Sequence, residues 1–402
     1  MSDAVWILGT SMTKFGRYPE KDTVDLGSEA ALAALKDGQV SIKDMDVLAV
    51  GNLGEAAAML GQRIQKQIGQ TGIPVYNVAN ACATGATAVR AAYMAIKAGE
   101  AQMGLVIGVE SMGKQGLLGA SRMARGDGKK TFERSGRYGS VMGVEGILGT
   151  GLMPGVFAQA GMEYANANDG VGFEQFAKVA EKNHAHSALN PLAQYQKVFS
   201  LDAVMNAEMI SYPNTLLMCC PTGDGAASVV LVSEEKLRTL SPDQQRRAVK
   251  VSASVLTSDP WTESDQVQPD VNTLTRSAAD KAYEIAGVDP QEHDLVELHD
   301  CFATAELLHY DNLRLCEPGG AGAFIDSGGP RRDGTIPVNV SGGLISKGHP
   351  LGATGVANLF EVATHLRGEA GDRQIEGATV GLTHVIGLGS ACAIHILEKA
   401  AT

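Results

Sequence analysis

Asn77-Val78-Ala79-Asn80-Ala81-Cys82-Ala83-Thr84-Gly85-Ala86-Thr87-Ala88-Val89-Arg90 is the stretch around which the rest of the chain is organised. The apolar, β-branched run from Ile73 to Val78 predicts a strand, and the alanine-rich residues that follow predict a helix with almost nothing polar on its first turns. Cys82 falls at the corner between them. The unpaired amides and positive end of a helix favour a thiolate over a thiol at such a corner. A free cysteine is equally at home there as a small buried apolar residue. On this stretch alone both readings stand.

Outward from the corner the same alternation continues. Residues 1–16 read as a strand and loop, Thr23 to Lys36 as a helix ended by Gly38, and Asp46 to Asn52 as a buried strand. A helix around Ala57 to Ile68 precedes the Cys82 strand, and Gly104 to Glu110 forms another strand-like run. The pattern predicts an α/β fold with mostly parallel strands covered on both faces.

From about 111 to 213 the chain becomes rich in glycine and methionine, which predicts a loop domain inserted in the first half. Its first part carries Arg122, Arg125, Lys129, Lys130, Arg134 and Arg137 against Asp127 and Glu133. That balance suits either a phosphate-bearing small molecule or a solvated loop. Met142, Ile147, Leu148, Leu152, Met153 and Val156 are candidates for an apolar pocket wall or for plain core. Gly223-Asp224-Gly225 leads into the apolar strand Ala226 to Val232, and Glu234 to Arg247 is a charged surface segment. Near Ala248 the chain begins again, dividing it into 1–247 and 248–402.

The second part repeats the first. Asp46-Val47-Leu48 is mirrored by Asp294-Leu295-Val296, Val75-Tyr76-Asn77-Val78 by Pro337-Val338-Asn339-Val340, and Gly85-Ala86-Thr87-Ala88-Val89 by Gly352-Ala353-Thr354-Gly355-Val356. The last match has an offset of 267 residues (352 − 85), which carries Cys82 onto His349. A thiol and an imidazole thus occupy equivalent strand-to-helix corners, and a pseudo-twofold relation would turn both toward one cleft. A third corner, His299-Asp300-Cys301-Phe302, follows the strand Asp294 to Leu298, at the end of a strand where α/β proteins place their sites.

Composition narrows the classes. The 402 residues are 44% hydrophobic and 19% charged, ordinary for a soluble enzyme, and the net charge of −12 favours solubility and argues against general nucleic-acid binding. No run approaches the ~20 apolar residues of a membrane span, and the absence of a targeting segment predicts the cytoplasm. Six cysteines occur without a Cys-x-x-Cys pair, so neither a disulfide framework nor a structural metal is expected.

Taken together, Asn80-Ala81-Cys82, Tyr212-Pro213-Asn214 through Cys219-Cys220-Pro221-Thr222-Gly223-Asp224-Gly225, His299-Asp300-Cys301-Phe302 and Gly348-His349-Pro350-Leu351-Gly352 resemble the thiolase superfamily, most closely the thiolases related to sterol carrier protein X. The resemblance covers essentially the whole chain. It implies a five-layered αβαβα fold from two duplicated halves, a dimer or tetramer, coenzyme A as co-substrate with no permanently bound cofactor, and thiolysis of a 3-oxoacyl-CoA to acetyl-CoA or propionyl-CoA in fatty-acid or steroid side-chain degradation. It further implies Cys82 as nucleophile, His349 as its base, and His299 as an oxyanion donor. In most thiolases the third motif begins with asparagine and a cysteine near the C-terminus moves protons. Here Leu382 to Gly389 lacks that cysteine, and the resemblance gives its role to Cys301. Arg122 and Arg125 become candidates for the coenzyme A phosphates, and amides at Cys82 and near Val385 to Gly387 for the thioester oxyanion. A condensing or aldolase-type enzyme on the same fold, or an acyl-CoA- or lipid-binding partner subunit, are the competing readings.

Overall fold

Apolar runs bounded by glycine and polar residues become buried strands, and the alanine-rich stretches between them become helices. A computed structural model describes residues 4–113, 152–260 and 271–400. In order come β1 (Val5–Met12), α1 (Thr23–Asp37), β2 (Val47–Gly51), α2 (Leu60–Ile68), β3 (Val75–Val78), α3 (Thr84–Lys97) and β4 (Met103–Ser111). Asp22 and Asp25 cap the start of α1 reciprocally, and Gly38 ends it. Two helices of the inserted region follow, α4 (Leu152–Ala167) and α5 (Phe173–Ser187), then the hairpin β5 (Met209–Ser211) and β6 (Asn214–Thr215), and β7 (Asp224–Ser233). The repeat supplies β8 (Val249–Thr257), α6 (Val271–Ala286), β9 (Leu295–Glu297), α7 (Ala303–Asn312), α8 (Leu351–Arg367), β10 (Val380–Gly387) and β11 (Ala391–Lys399). Among the described residues no helix is long and apolar enough to cross a membrane.

The strands lie in the order β3-β2-β4-β7-β1-β8-β11-β10-β9. The two series join where Val5, Trp6 and Ile7 pair antiparallel with Val251, Lys250 and Val249. Read outward from that join, β1-β7-β4-β2-β3 is matched by β8-β11-β10-β9, with Val338 bridged parallel to Val296 in the fifth place. The strand expected at Pro337 to Val340 is therefore one bridge. Pro337 has no amide to give a ladder, and Asn339, at φ 54°, turns the chain away.

The expectation of mostly parallel strands is overturned. Among the strands of the described residues, only β2–β3, β2–β4 and β9–β10 pair in parallel. β7 runs antiparallel to both neighbours, and β10–β11 is a tight hairpin, which joins only antiparallel strands.

Three apolar clusters define the layers. α1 and α2 cover the outer face of the first strand set, α3 and α8 fill the space between the two sets, and α5, α6 and α7 cover the outer face of the second. This is the αβαβα arrangement. The repeated small residues have a direct cause: a Cβ on Gly85 would lie 2.5 Å from the Gly352 carbonyl oxygen, and one on Gly355 would strike the Ala86 backbone. α3 and α8 touch through bare backbone where their N-terminal turns meet, so the corners that precede them face one another.

Candidate active site

Each corner is fixed by its own short-range bonds. Between β3 and α3, Ala81 adopts a left-handed backbone at φ 47°, unusual for a residue with a Cβ. The Thr84 hydroxyl locks this turn by donating to the Ala81 carbonyl (2.6 Å) and accepting the Asn80 amide (2.7 Å). Cys82 is delivered at the apex, buried. Before α8, a wide π-helical turn over Gly343–Lys347 and left-handed Gly348 (φ 113°) present His349. The third corner follows β9.

The structure brings these corners together. Cys82 Sγ and one ring nitrogen each of His299 and His349 lie within 4.8 Å of one another. The two imidazoles meet edge to face, with centroids 5.3 Å apart. Cys301 is buried in an adjoining apolar cluster with Phe157, Phe302 and Leu344, and Met153 of α4 packs against both that cluster and the one containing Cys82. The segment carrying Cys219 and Cys220 lies alongside, with the Cys220 amide donating to the Cys301 carbonyl (2.9 Å). Of the suggested pocket-wall residues, Met153 faces the site and Val156 is buried, whereas Met142, Ile147 and Leu148 lie outside the described residues, as do Arg122 and Arg125.

Burial decides the resting charges. It pushes the Cys82 thiol up to about 12; its own amide and that of Leu388 pull the other way, and nearby Glu110 adds to the rise. A thiolate standing at the helix terminus is therefore not the resting form: removal from water outweighs the amides. Burial pushes His299 down to about 3 and His349 well below its ordinary value. Cys301 is held well above the usual thiol range by burial and by the neighbouring Cys220 and Cys82. At neutral pH the cluster holds two thiols and two neutral imidazoles. The amide that reaches the Cys82 sulfur is Leu388, one residue beyond the expected Val385 to Gly387.

Thr354, which the sequence reading did not single out, sets the orientation of His349. Its hydroxyl donates its single proton to the Pro350 carbonyl (3.0 Å) and sits 2.7 Å from His349 Nδ1. With the hydroxyl proton assigned to Pro350, Nδ1 carries the ring proton and donates it to Thr354, leaving Nε2 as the basic nitrogen. Nε2 is buried with no partner in the protein. The signal was present in the repeat. Thr87, the equivalent residue, likewise donates four residues back, to Ala83 (2.9 Å), and receives Asn80 Nδ2 (3.0 Å) from its own corner.

A buried polar network stands behind the cluster. The Asp300 carboxylate accepts the amides of Leu344 (2.7 Å) and Ile345 (3.3 Å), tying the His299–Cys301 corner to the turn that presents His349. Asn183 Nδ2 bridges Asp300 (2.8 Å) and Glu306 (2.6 Å), and Glu306 pairs with Lys182 at 2.8 Å with both side chains fully buried. The Tyr310 hydroxyl (2.5 Å) and Asn339 Nδ2 (2.8 Å) also donate to Glu306. Glu110 holds the second half to the first by accepting the amides of Leu53 (2.9 Å) and Gly352 (3.1 Å).

Residues 5–202 match the family profile described as Thiolase, N-terminal domain, and residues 259–399 match that described as Thiolase C-terminal domain-like. The chain is 39% identical over 402 residues to sterol carrier protein 2 of Oryctolagus cuniculus, an alignment spanning 98% of this chain and 72% of that protein. It is 35% identical over 404 residues to acetyl-CoA acetyltransferase of Methanothermobacter thermautotrophicus, spanning 98% and 99%. Among solved structures, a chain of Ltp2-ChsH2(DUF35) aldolase superposes with a TM-score of 0.79 at 22% identity over 98% of each chain, a likeness of fold.

Proposed function

The chain belongs to the thiolase family, and on that premise we propose that it cleaves 3-oxoacyl-CoA by coenzyme A-dependent thiolysis, with Cys82 carrying the acyl group between two half-reactions. One observation carries the reading: a buried thiol shares a 4.8 Å cluster with two neutral imidazoles, beside a second, protonated thiol in an apolar pocket.

In the first half-reaction His349 Nε2 takes the Cys82 proton as sulfur attacks the 3-oxo carbon. Base and nucleophile start neutral, so the ion pair forms only when substrate is present. The bond between C2 and C3 breaks, and the leaving acetyl-CoA (or propionyl-CoA) enolate takes its proton from Cys301. His299 and the newly charged His349 stabilise the enolate oxygen, while the amides of Cys82 and Leu388 serve the acyl oxygen on Cys82. In the second half-reaction coenzyme A gives its thiol proton to the Cys301 thiolate and attacks the acyl carbonyl, and Cys82 leaves and takes its proton back from His349, which restores the starting state and makes the kinetics ping-pong. Phe157, Phe302, Leu344 and Met153 supply apolar walls suited to a fatty or steroid-derived acyl chain.

Cys301→Ala tests the proton transfer. The variant should lose about 10²-fold or more in thiolysis, the range for a positioned acid, while retaining part of its acyl transfer from a simple thioester. Full thiolysis in that variant would remove Cys301 from the mechanism.

The fold likeness to an aldolase chain favours a second reading, aldol cleavage of a CoA thioester. That reaction needs neither free coenzyme A nor an acyl-cysteine, so product formation without coenzyme A would select it. We assign the functional halves to 1–247 and 248–402. A homodimer is the basic unit in this proposal, supported by the open edge of β3, where Tyr76 is 44% exposed.

A further inference from the structure

We propose that Cys82, His299 and His349 form a capture site for a single Zn²⁺ ion, and that the captured ion silences the nucleophile. The silencing, though not the binding, rests on Cys82 being the nucleophile of the proposed reaction.

The donor set is one thiol sulfur and two imidazole nitrogens within 4.8 Å of one another, all from buried residues. Four-coordinate zinc with Zn–S near ~2.3 Å and Zn–N near ~2.0 Å holds such donors roughly 3.3–3.6 Å apart. Closing the difference takes about 1 Å, within reach of small rotations of the Cys82 and imidazole side chains. One thiolate and two imidazoles are borderline-soft ligands that suit zinc, and three protein ligands leave a fourth position open to water or a substrate thiol.

Two independent features point the same way. His349 Nδ1 is already occupied by Thr354 at 2.7 Å, the outer-shell bond that orients a ligating imidazole and frees its other nitrogen. In addition, His349 Nε2 and His299 Nδ1 are both buried with no hydrogen-bond partner in the protein, so neither nitrogen has to give up a bond to take a ligand. On binding, the Cys82 S–H bond breaks, an S–Zn bond forms and one proton leaves to solvent. The sulfur is then no longer free to attack a carbonyl. Acylation of Cys82 blocks the same site, so zinc and the acyl group exclude each other.

Cys219, Cys220 and Cys301 supply rival thiols close by, and the test separates them. Chelator-dialysed protein is titrated with Zn²⁺ and, as a spectroscopic probe, with Co²⁺. The expected result is one ion per chain, with a sulfur-to-cobalt charge-transfer band and the intense visible bands of a four-coordinate ion in the wild type. Affinity should fall at least tenfold in Cys82→Ser and in His349→Ala and stay within twofold in a Cys219→Ala/Cys220→Ala double variant. The wild-type cobalt spectrum needs no variant to fold. Undiminished affinity in Cys82→Ser, loss of binding in the double variant, or a weak six-coordinate spectrum without sulfur charge transfer would overturn the proposal. Because these readouts involve no turnover, zinc binding without thiolysis would sink the thiolase reading alone.

Discussion

Thr354 decides which nitrogen of His349 is basic, and its effect is separable from packing. Thr354→Val keeps the shape but removes the acceptor for Nδ1–H; it should lower kcat about 10²-fold, the low end of what a positioned base contributes, with little change in KM. Thr354→Ser should restore most of the rate, and steady-state kinetics of the two variants check the assignment. Equal rates in Thr354→Val and wild type would dissociate the hydroxyl from the base. At this scale the sequence displayed Cys82, His299, Cys301 and His349 because they stand at strand ends, where apolar patterning stops and a thiol or imidazole stands out. It hid Thr354, whose role depends on a turn bringing it back to position 349. It also hid the Leu388 amide, since a backbone group leaves no mark in side-chain identity. The protonation states were hidden too, because the Cys82 thiol is held up by burial that only the assembled halves create.

The element that holds the halves in register is the contact of α3 with α8. Gly355→Ala would drive a Cβ into the backbone of Ala86 on α3. Overpacking of that kind costs about 1–3 kcal/mol and should lower the urea midpoint. Activity should fall further than stability, because the corners on both helices shift. A midpoint unchanged from wild type would mean the helices can part without cost. The network behind the cluster makes a larger prediction. Lys182→Met leaves Glu306 and Asp300 buried without their cation, and breaking such a pair costs about 3–5 kcal/mol; equilibrium unfolding measures it directly. The repeat was legible because helix contact demands the same small residues twice. The strand directions were not, because β1 and β7 become neighbours through pairing between residues some 220 positions apart (232 − 6 = 226 for Trp6 and Val232).

Across the whole molecule, burial holds eight of the nine histidines below their ordinary range, down to about 3 at His299, His309 and His395. The unfolded chain takes up protons at these residues near ~6.5, whereas the folded chain refuses them. Unfolding therefore binds protons below that value, and stability must rise with pH across roughly 5 to 7, by at most ~1.4 kcal/mol per unit for each histidine. The urea midpoint in screening salt should be higher at pH 7 than at pH 5.5; a flat or inverted profile would contradict the neutral-imidazole account. The five-layered architecture was legible from duplication and resemblance, whereas this collective acid sensitivity follows only from burial. The most direct test of the central claim is intact-mass measurement after mixing with a 3-oxoacyl-CoA. The account predicts a mass increase equal to the shortened acyl group in wild type, located on Cys82, absent in Cys82→Ala and discharged by coenzyme A. No adduct in wild type, or an adduct that persists in Cys82→Ala, would contradict it.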